Sequence, residues 1–408
     1  MSWSTFQIVI VVGMVATGTL NTISAGFQQR AEGVGKDFPL NFNKDSYAWM
    51  NGTKKTFDHP YLQAMGMMAG ETLCMVAFVI MTCVFRRGRQ TAETAKANQD
   101  FSPFMLYPAA LFDLIGTSLN YVGMILSYPS SFQMLRGSVI VFTAALSIVF
   151  LRQRPKPFQW LGIFIIIGGL VIVGVGDLLY APAKIPCLKP ENNGTLTELL
   201  NPGDDGYCET AKLGSNPLVG DIIIIIGEIF HAFQFIYEEY VLGKYNLPPL
   251  QVVGYEGIFG FSTIGILLWP MYFIYTGESF GLGPELRFED AIDGFTQIAN
   301  SPGILGWTIG NMFSIACFNF AGITVTKELT STTRAVLDNI RQIFIWGFSL
   351  IIGWQEFNPL TPVGFVVLIT GMWIYNDVIV RPLLYKLMGK KMPTYEKEKK
   401  MEEIEEKA

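Results

Sequence analysis

Residues 60–66 read PYLQAMG, and residues 248–254 read PPLQVVG. Each opens a long apolar run. Further on, LNYVGM at 119–124 is answered by FNFAGI at 318–323, and LGIFIIIGGLVIV at 161–173 by VGFVVLITGMWIY at 363–375. The offsets are 188, 199 and 202 residues, in chain order. Three ordered matches at similar spacing read as a duplication.

Apolar runs of about 20 residues are long enough to cross a bilayer as helices. They fall near 6–25, 61–85, 105–127, 132–151, 159–179, 219–242, 252–274, 303–325, 332–353 and 361–380. Ten spans make two sets of five. Five is odd, so the second set must run through the bilayer in the opposite sense. The expected fold is an all-α integral membrane protein of ten transmembrane helices in two inverted five-helix repeats. The first repeat is 1–180 and the second 218–385, with an outer loop at 181–217 and a charged cytosolic tail at 386–408. Inverted repeats mark transporters, whose substrate site lies near the midplane between the halves. A signal peptide is the alternative for the first run, since Ser24-Ala25-Gly26 offers small residues. No basic stretch precedes that run, and it is as long as a span.

Composition agrees. Of 408 residues, 50% are hydrophobic and only 15% charged, and mean hydropathy is +0.35. A soluble domain carries about 25% charged residues. Half of the 28 residues from Arg381 to Ala408 are charged, so the rest of the chain is poorer still. The net charge of −5 comes with no basic patch, so nucleic acid is not expected as a partner. The expected contacts are a small-molecule substrate and the lipid bilayer, with room for a homodimer. No Gly-rich phosphate loop, HExxH or Cys/His metal spacing occurs, so neither an enzyme nor a cofactor is expected.

Orientation rests on three signals. Arg86, Arg87, Arg89 and Lys96 follow the second span, Arg152, Arg154 and Lys156 follow the fourth, and the stretch from Arg381 to Ala408 holds eight Lys and Arg. A cytosolic N-terminus puts all of these inside. Asn51-Gly52-Thr53 and Asn193-Gly194-Thr195 are glycosylation sequons on the predicted outer side. Cys187 and Cys208 share the 181–217 loop, where an oxidising lumen allows a disulfide. Cys74, Cys83 and Cys317 fall in spans and read as small buried hydrophobes. The expected location is an endomembrane, lysosomal or Golgi, with cytosolic N- and C-termini. Tyr385-Lys386-Leu387-Met388 fits a short sorting pattern and equally an ordinary helix end.

Within the spans, polar residues stand out. Arg334, Asp338 and Arg341 recur at i, i+4, i+7, on one face of the ninth span. A charge facing lipid costs several kcal/mol, so this face must point into the bundle. The expectation is that Arg334 pairs with Asp338 while Arg341 meets an anionic group of the substrate; a purely structural clamp is the alternative. The fourth span offers Gln133, Arg136 and Thr143 on one face. Glu71 and Glu256 follow the repeated PxLQxxG motif, Asp113 lies in the third span, and Glu228, His231 and Glu238 share a face of the sixth. These acids and His231 read as counter-ions to Arg136, Arg334 and Arg341, or as a proton relay. Asn120 and Asn319 occupy equivalent places in the second repeated motif and read as interhelical hydrogen-bonders or cavity-lining residues. Gly162, Gly169 and Gly176, like Gly364 and Gly371, stand seven apart and make small-residue packing stripes.

Three longer stretches resemble a known family. They are SSFQMLRGSVIVFT at 130–143, GYEGIFGF at 254–261 and FAGITVTKELTSTTRAVLDNIR at 320–341. They are similar to solute carrier family 35, subfamily F, within the drug/metabolite transporter superfamily, and the likeness runs from about 6 to 385. The resemblance implies the ten-helix drug/metabolite transporter fold, a central cavity, alternating access and a nucleotide-sugar-like substrate. Nucleotide-sugar transporters of that superfamily carry FYNN in span seven and GALNK in span nine. Here those places hold Gly254-Tyr255-Glu256-Gly257 and Asp338-Asn339-Ile340-Arg341-Gln342. Only Tyr255 of the first motif survives, and Arg341 sits one position before the family's Lys. A polar or anionic organic metabolite is therefore the expected substrate class. A proton-coupled carrier of a cationic or zwitterionic solute, and a membrane adaptor that transports nothing, are the competing readings.

Overall fold

The computed structural model describes residues 4–35, 54–85, 101–126, 132, 135–152, 156–179, 188–190, 196–199, 217–275, 287–354, 357 and 359–375. Gln133, Asn51, Asn193, Cys187, Cys208 and the charged tail lie outside them.

Among the described residues the chain is all-α apart from two short hairpins. The helices are α1 (Thr5–Arg30), α2 (Pro60–Phe85), α3 (Tyr107–Leu126), α4 (Val139–Phe150), α5 (Pro157–Leu179), α6 (Pro217–Tyr245), α7 (Pro249–Phe273), α8 (Ala291–Asn300), α9 (Pro302–Glu328), α10 (Ser331–Ile352) and α11 (Leu360–Tyr375). Every sequence-predicted span has its helix. α8 is extra: a short amphipathic helix just before α9, too short to span. Six of the described helices, α1, α2, α6, α7, α9 and α10, are long and apolar enough to cross a membrane. α4, α5 and α11 contain shorter apolar stretches. α3 has 20 residues but carries Asp113, Thr117 and Asn120 along one side.

Local chemistry sets the helix ends. Ser4 and Gln7 form a reciprocal capping box at α1, with hydrogen bonds of 2.9 and 3.2 Å. Ser301 caps α9 and Pro302 takes its first position, where a missing N–H costs nothing. Thr330 caps α10 through the Thr333 N–H at 3.1 Å. Gly353 ends α10 at φ 76°, a left-handed conformation that glycine adopts without a Cβ clash.

Helices pair across the two halves of the chain. The extensive contacts are α1 with α9, α2 with α7, α3 with α6 and α5 with α11; α4 packs on α6, and α10 on α1. Glycine makes the closest approaches. A Cβ on Gly162 would sit 2.9 Å from the Gly371 carbonyl, and one on Gly169 would sit 2.9 Å from that of Gly364. The two stripes read in the sequence thus face each other. Apolar side chains cover the outside, with Ile351 85%, Ile266 73% and Trp269 73% exposed, as a lipid-facing surface requires. Cys74 is buried, but Cys83 and Cys317 are exposed on that surface. For those two the reading as buried residues is corrected: a thiol is apolar enough to face lipid.

Candidate functional site

Most of the charged residues singled out in the spans meet at a cavity of about 330 Å³ inside the bundle. Seven helices contribute: α1, α2, α3, α4, α6, α9 and α10, with Arg136 on the turn that leads into α4. Of the sequence-predicted residues, Glu71, Asp113, Asn120, Arg136, Glu228, His231, Asn319, Arg334, Asp338 and Arg341 line it. The ninth-span stripe therefore faces inward. Lipid is closed to these charges, and the interior supplies partners.

The pairing differs from the expected one. Arg334 does not bind Asp338, its neighbour on the helix. Its Nη1 donates instead to Glu238 on α6, and both side chains are almost completely buried. Its guanidinium also stacks 4.2 Å over the ring of Phe235. A deeply buried guanidinium is best matched by a fully desolvated acid that its long side chain can reach across the interface. Asp338 turns to Arg341: Nε lies 2.9 Å from Oδ1, and Nη2 donates to Oδ2 at 3.1 Å. Arg341 is 3% exposed and rests 4.6 Å over Phe318. It is thus not the unmatched cation that its sequence position suggests.

Arg136 is the open one. Its nearest acid is Glu228, 3.9 Å from Nε, and it donates no hydrogen bond among the described residues. Its side chain is 26% exposed, with the guanidinium 5.5 Å from the Phe132 ring. Glu228 spends its carboxylate on Asn120, which donates at 2.7 Å.

Acids outnumber cations at the other end. Asn319 donates to Glu71, which has no Lys or Arg within 4 Å among the described residues. Asp113 accepts from Thr117 at 3.4 Å and lies 3.6 Å from His231 Nδ1. That nitrogen also faces Gln234 at 3.3 Å. Asn120 and Asn319 each bridge to a glutamate on another helix, so the repeated asparagine does the same job in both halves. Glu256 and Tyr255 do not line the cavity. Glu256 is buried beside α2, its Oε1 without a partner, where Gly257 packs directly on Glu71. Tyr255 packs with Phe101 and Phe259 on another face of α7. The tyrosine that survives from the nucleotide-sugar motif is therefore directed away from the site.

Several polar residues of α1 went unread in the sequence. Asn21 donates to Asn311 between α1 and α9, and Gln28 to Thr308 at 2.8 Å. The seven-residue spacing of Asn21 and Gln28 in an apolar run was the available signal. Arg30, at the end of α1, stacks 4.2 Å from Trp354 at the cavity rim. Outside the spans, His59 is buried between Glu289 at 2.8 Å and Asp293 at 3.3 Å. Burial disfavours its charge, but hydrogen bonds to Asp293 and Glu289 outweigh that and raise it to about 10. No group of metal-ligating side chains occurs among the described residues.

Comparisons with known proteins agree with this architecture. Residues 56–175 match the EamA-like transporter family. The chain is 40% identical to solute carrier family 35 member F6 of Mus musculus over 401 residues, covering 98% of this chain and 96% of that one. The Homo sapiens member F6 is 40% identical over 390 residues, covering 95% and 93%. An uncharacterized protein of Schizosaccharomyces pombe is 30% identical over 282 residues, 69% of this chain and 76% of the other. A solved crystal structure with 10% identity superposes at a TM-score of 0.52 over 91% of this chain and 97% of that one, which speaks to fold alone. With identity sustained over nearly its whole length, this multi-pass membrane chain belongs to solute carrier family 35, in the company of its subfamily F.

Proposed function

We propose that the protein is a secondary transporter that carries a polar organic metabolite through this cavity by alternating access. One observation carries the reading: about 330 Å³ of interior space is lined by charged side chains from both halves of the chain. Burying so many ionisable groups is costly, and a helix scaffold alone gains only packing specificity from them. The volume is in the range of small-molecule sites.

The helix pairing supports two inverted five-helix repeats. Number the membrane helices one to ten and exchange each with the helix five places on. The pair one–eight (α1 with α9) becomes six–three (α6 with α3), and four–six (α4 with α6) becomes nine–one (α10 with α1). Two–seven (α2 with α7) and five–ten (α5 with α11) map onto themselves. A pseudo-two-fold axis in the membrane plane has this effect. Rocking one half against the other around the cavity is the motion such an arrangement allows.

The charge pattern argues against a nucleotide sugar. Its two phosphates would meet several lining carboxylates, against two guanidiniums without a close acid among the described residues, Arg136 and, at the rim, Arg30. The positively charged inner loops, the sequons at Asn51 and Asn193 and the Cys187–Cys208 pair support an endomembrane site with cytosolic termini.

Counterflow uptake into liposomes containing the purified full chain tests the reading. Saturable uptake of a solute, accelerated by the same solute inside, is expected. No uptake across a broad polar panel would instead favour an adaptor that works through protein partners.

A further inference from the structure

We infer that the transported solute is a zwitterion whose ammonium and anionic groups lie several bonds apart, the ammonium on Glu71 and Asp113 and the anion on Arg136. The inference rests on the transport reading above and adds a substrate class to it.

Two independent observations carry it. The first is Arg136. Arg334 and Arg341 are committed to Glu238 and Asp338, but Arg136 makes only a 3.9 Å contact and no hydrogen bond among the described residues. Its planar fork of N–H donors faces the cavity and suits a carboxylate or phosphate. The second is the acid pair. Glu71 is 1% exposed, faces the same cavity and receives only a neutral amide from Asn319. Asp113 has Thr117 and His231, which is charged only when it holds a proton. Buried carboxylates without a cation are costly in a low-dielectric interior, and an ammonium resolves the cost for both. Among the described residues neither acid has a Lys or Arg within 4 Å, and Arg334 is spent on Glu238.

The spacing limits the solute. Asp113 and Asn120 are seven residues apart on α3, about 10 Å along the axis at 1.5 Å per residue. Asn120 is bonded to Glu228, the neighbour of Arg136. On α6, Glu228 and His231, which touch Arg136 and Asp113, are three residues apart, about 4.5 Å along the axis, so the two poles lie between one and two helical turns apart. A short peptide or an aminoalkyl phosphate can bridge them. An α-amino acid, with both charged groups on one carbon, is the poorest fit to that span.

The test is uptake into liposomes containing the full chain. The panel holds labelled dipeptides, the same peptides N-acetylated or C-amidated, an aminoalkyl phosphate of similar length, alanine, a quaternary ammonium and a nucleotide sugar. Expected is saturable uptake of the dipeptides or the aminoalkyl phosphate, with both blocked forms transported poorly. Which of the two is preferred tells whether Arg136 takes carboxylate or phosphate. Arg136→Gln should raise the half-saturating concentration about tenfold, as the loss of a charge-assisted contact implies, and should remove discrimination against the amidated form. Arg136→Lys should recover part of it. Glu71→Gln, which can still accept from Asn319, should remove discrimination against the acetylated form. Uptake of the anion, the quaternary cation, alanine or a blocked peptide in preference to the zwitterions overturns this inference and leaves the transport reading standing. Saturable uptake of no solute overturns both.

Discussion

Arg334 and Arg341 lie two turns apart on one face of α10, yet they are held differently. Arg334 crosses to α6 and neutralises Glu238, a side chain with no exposed surface. Removing the cation leaves that carboxylate buried and alone. Arg334→Ala should therefore destabilise the protein by about 3–5 kcal/mol, as breaking buried pairs does. Arg334→Met combined with Glu238→Gln should recover much of the loss. Melting temperatures in detergent, compared among these variants and Arg341→Ala, check this. A drop for Arg341→Ala as large as that for Arg334→Ala would refute the assignment, because Asp338 borders the cavity and keeps access to water. His59 makes a second prediction. Folding raises it from 6.5 to about 10, so the folded chain holds a proton that the unfolded chain releases. The stabilisation is full below pH 6.5 and is lost as pH rises through about 10. His59→Gln should flatten the fall in stability over that window, as read from melting temperatures at stepped pH.

Between elements, glycine decides how closely α5 and α11 approach. A methyl group on Gly169 would stand 2.8 Å from the Leu368 amide nitrogen and 2.9 Å from the Gly364 carbonyl, both rigid backbone. Its neighbour Gly168 has nothing within 4 Å. Gly169→Ala should cost about 1–3 kcal/mol by overpacking, whereas Gly168→Ala should be neutral or slightly stabilising because alanine favours helix. Thermal unfolding of the two variants side by side separates them, and equal effects would mean that the stripe is not a contact. The stripe was legible as a spacing of seven. Its partner helix was not, because a small-residue face says only that something packs there.

For the whole molecule, orientation is the open test. With a cytosolic N-terminus, Asn193 is glycosylated and Cys187 is bridged to Cys208. Enzymatic deglycosylation should shift the wild type on a gel and leave Asn193→Gln at the faster mobility. Thiol labelling of the denatured chain should reach these two cysteines only after reduction. An unchanged mobility for Asn193→Gln, or labelling without reductant, would turn the assignment over. A lumenal 181–217 loop puts the His59–Glu289–Asp293 cluster on the lumenal side as well, since both border outward ends of spans.

The linear sequence determined what hydrophobicity and period alone dictate. Ten apolar runs have their ten helices, because an element in lipid must satisfy its own backbone hydrogen bonds. The inward face of α10 and the polar residues Glu71, Asp113, Asn120, Glu228 and Asn319 were equally legible, since a charge or amide in a span has few places to go. Tertiary structure alone decided the partners. Arg334 could have met Asp338 or Glu238, and both were in reach of a reasonable reading. Distance across the α6–α10 interface and the extent of burial chose Glu238, which left Asp338 to Arg341 and Arg136 open to the cavity. Tyr255 followed the same logic in reverse: its motif pointed to the site, but the rotation of α7 turned it toward Phe101 and Phe259. Periodicity gives the face a residue occupies; which side chain it meets depends on how helices distant in the chain are rotated and packed against it.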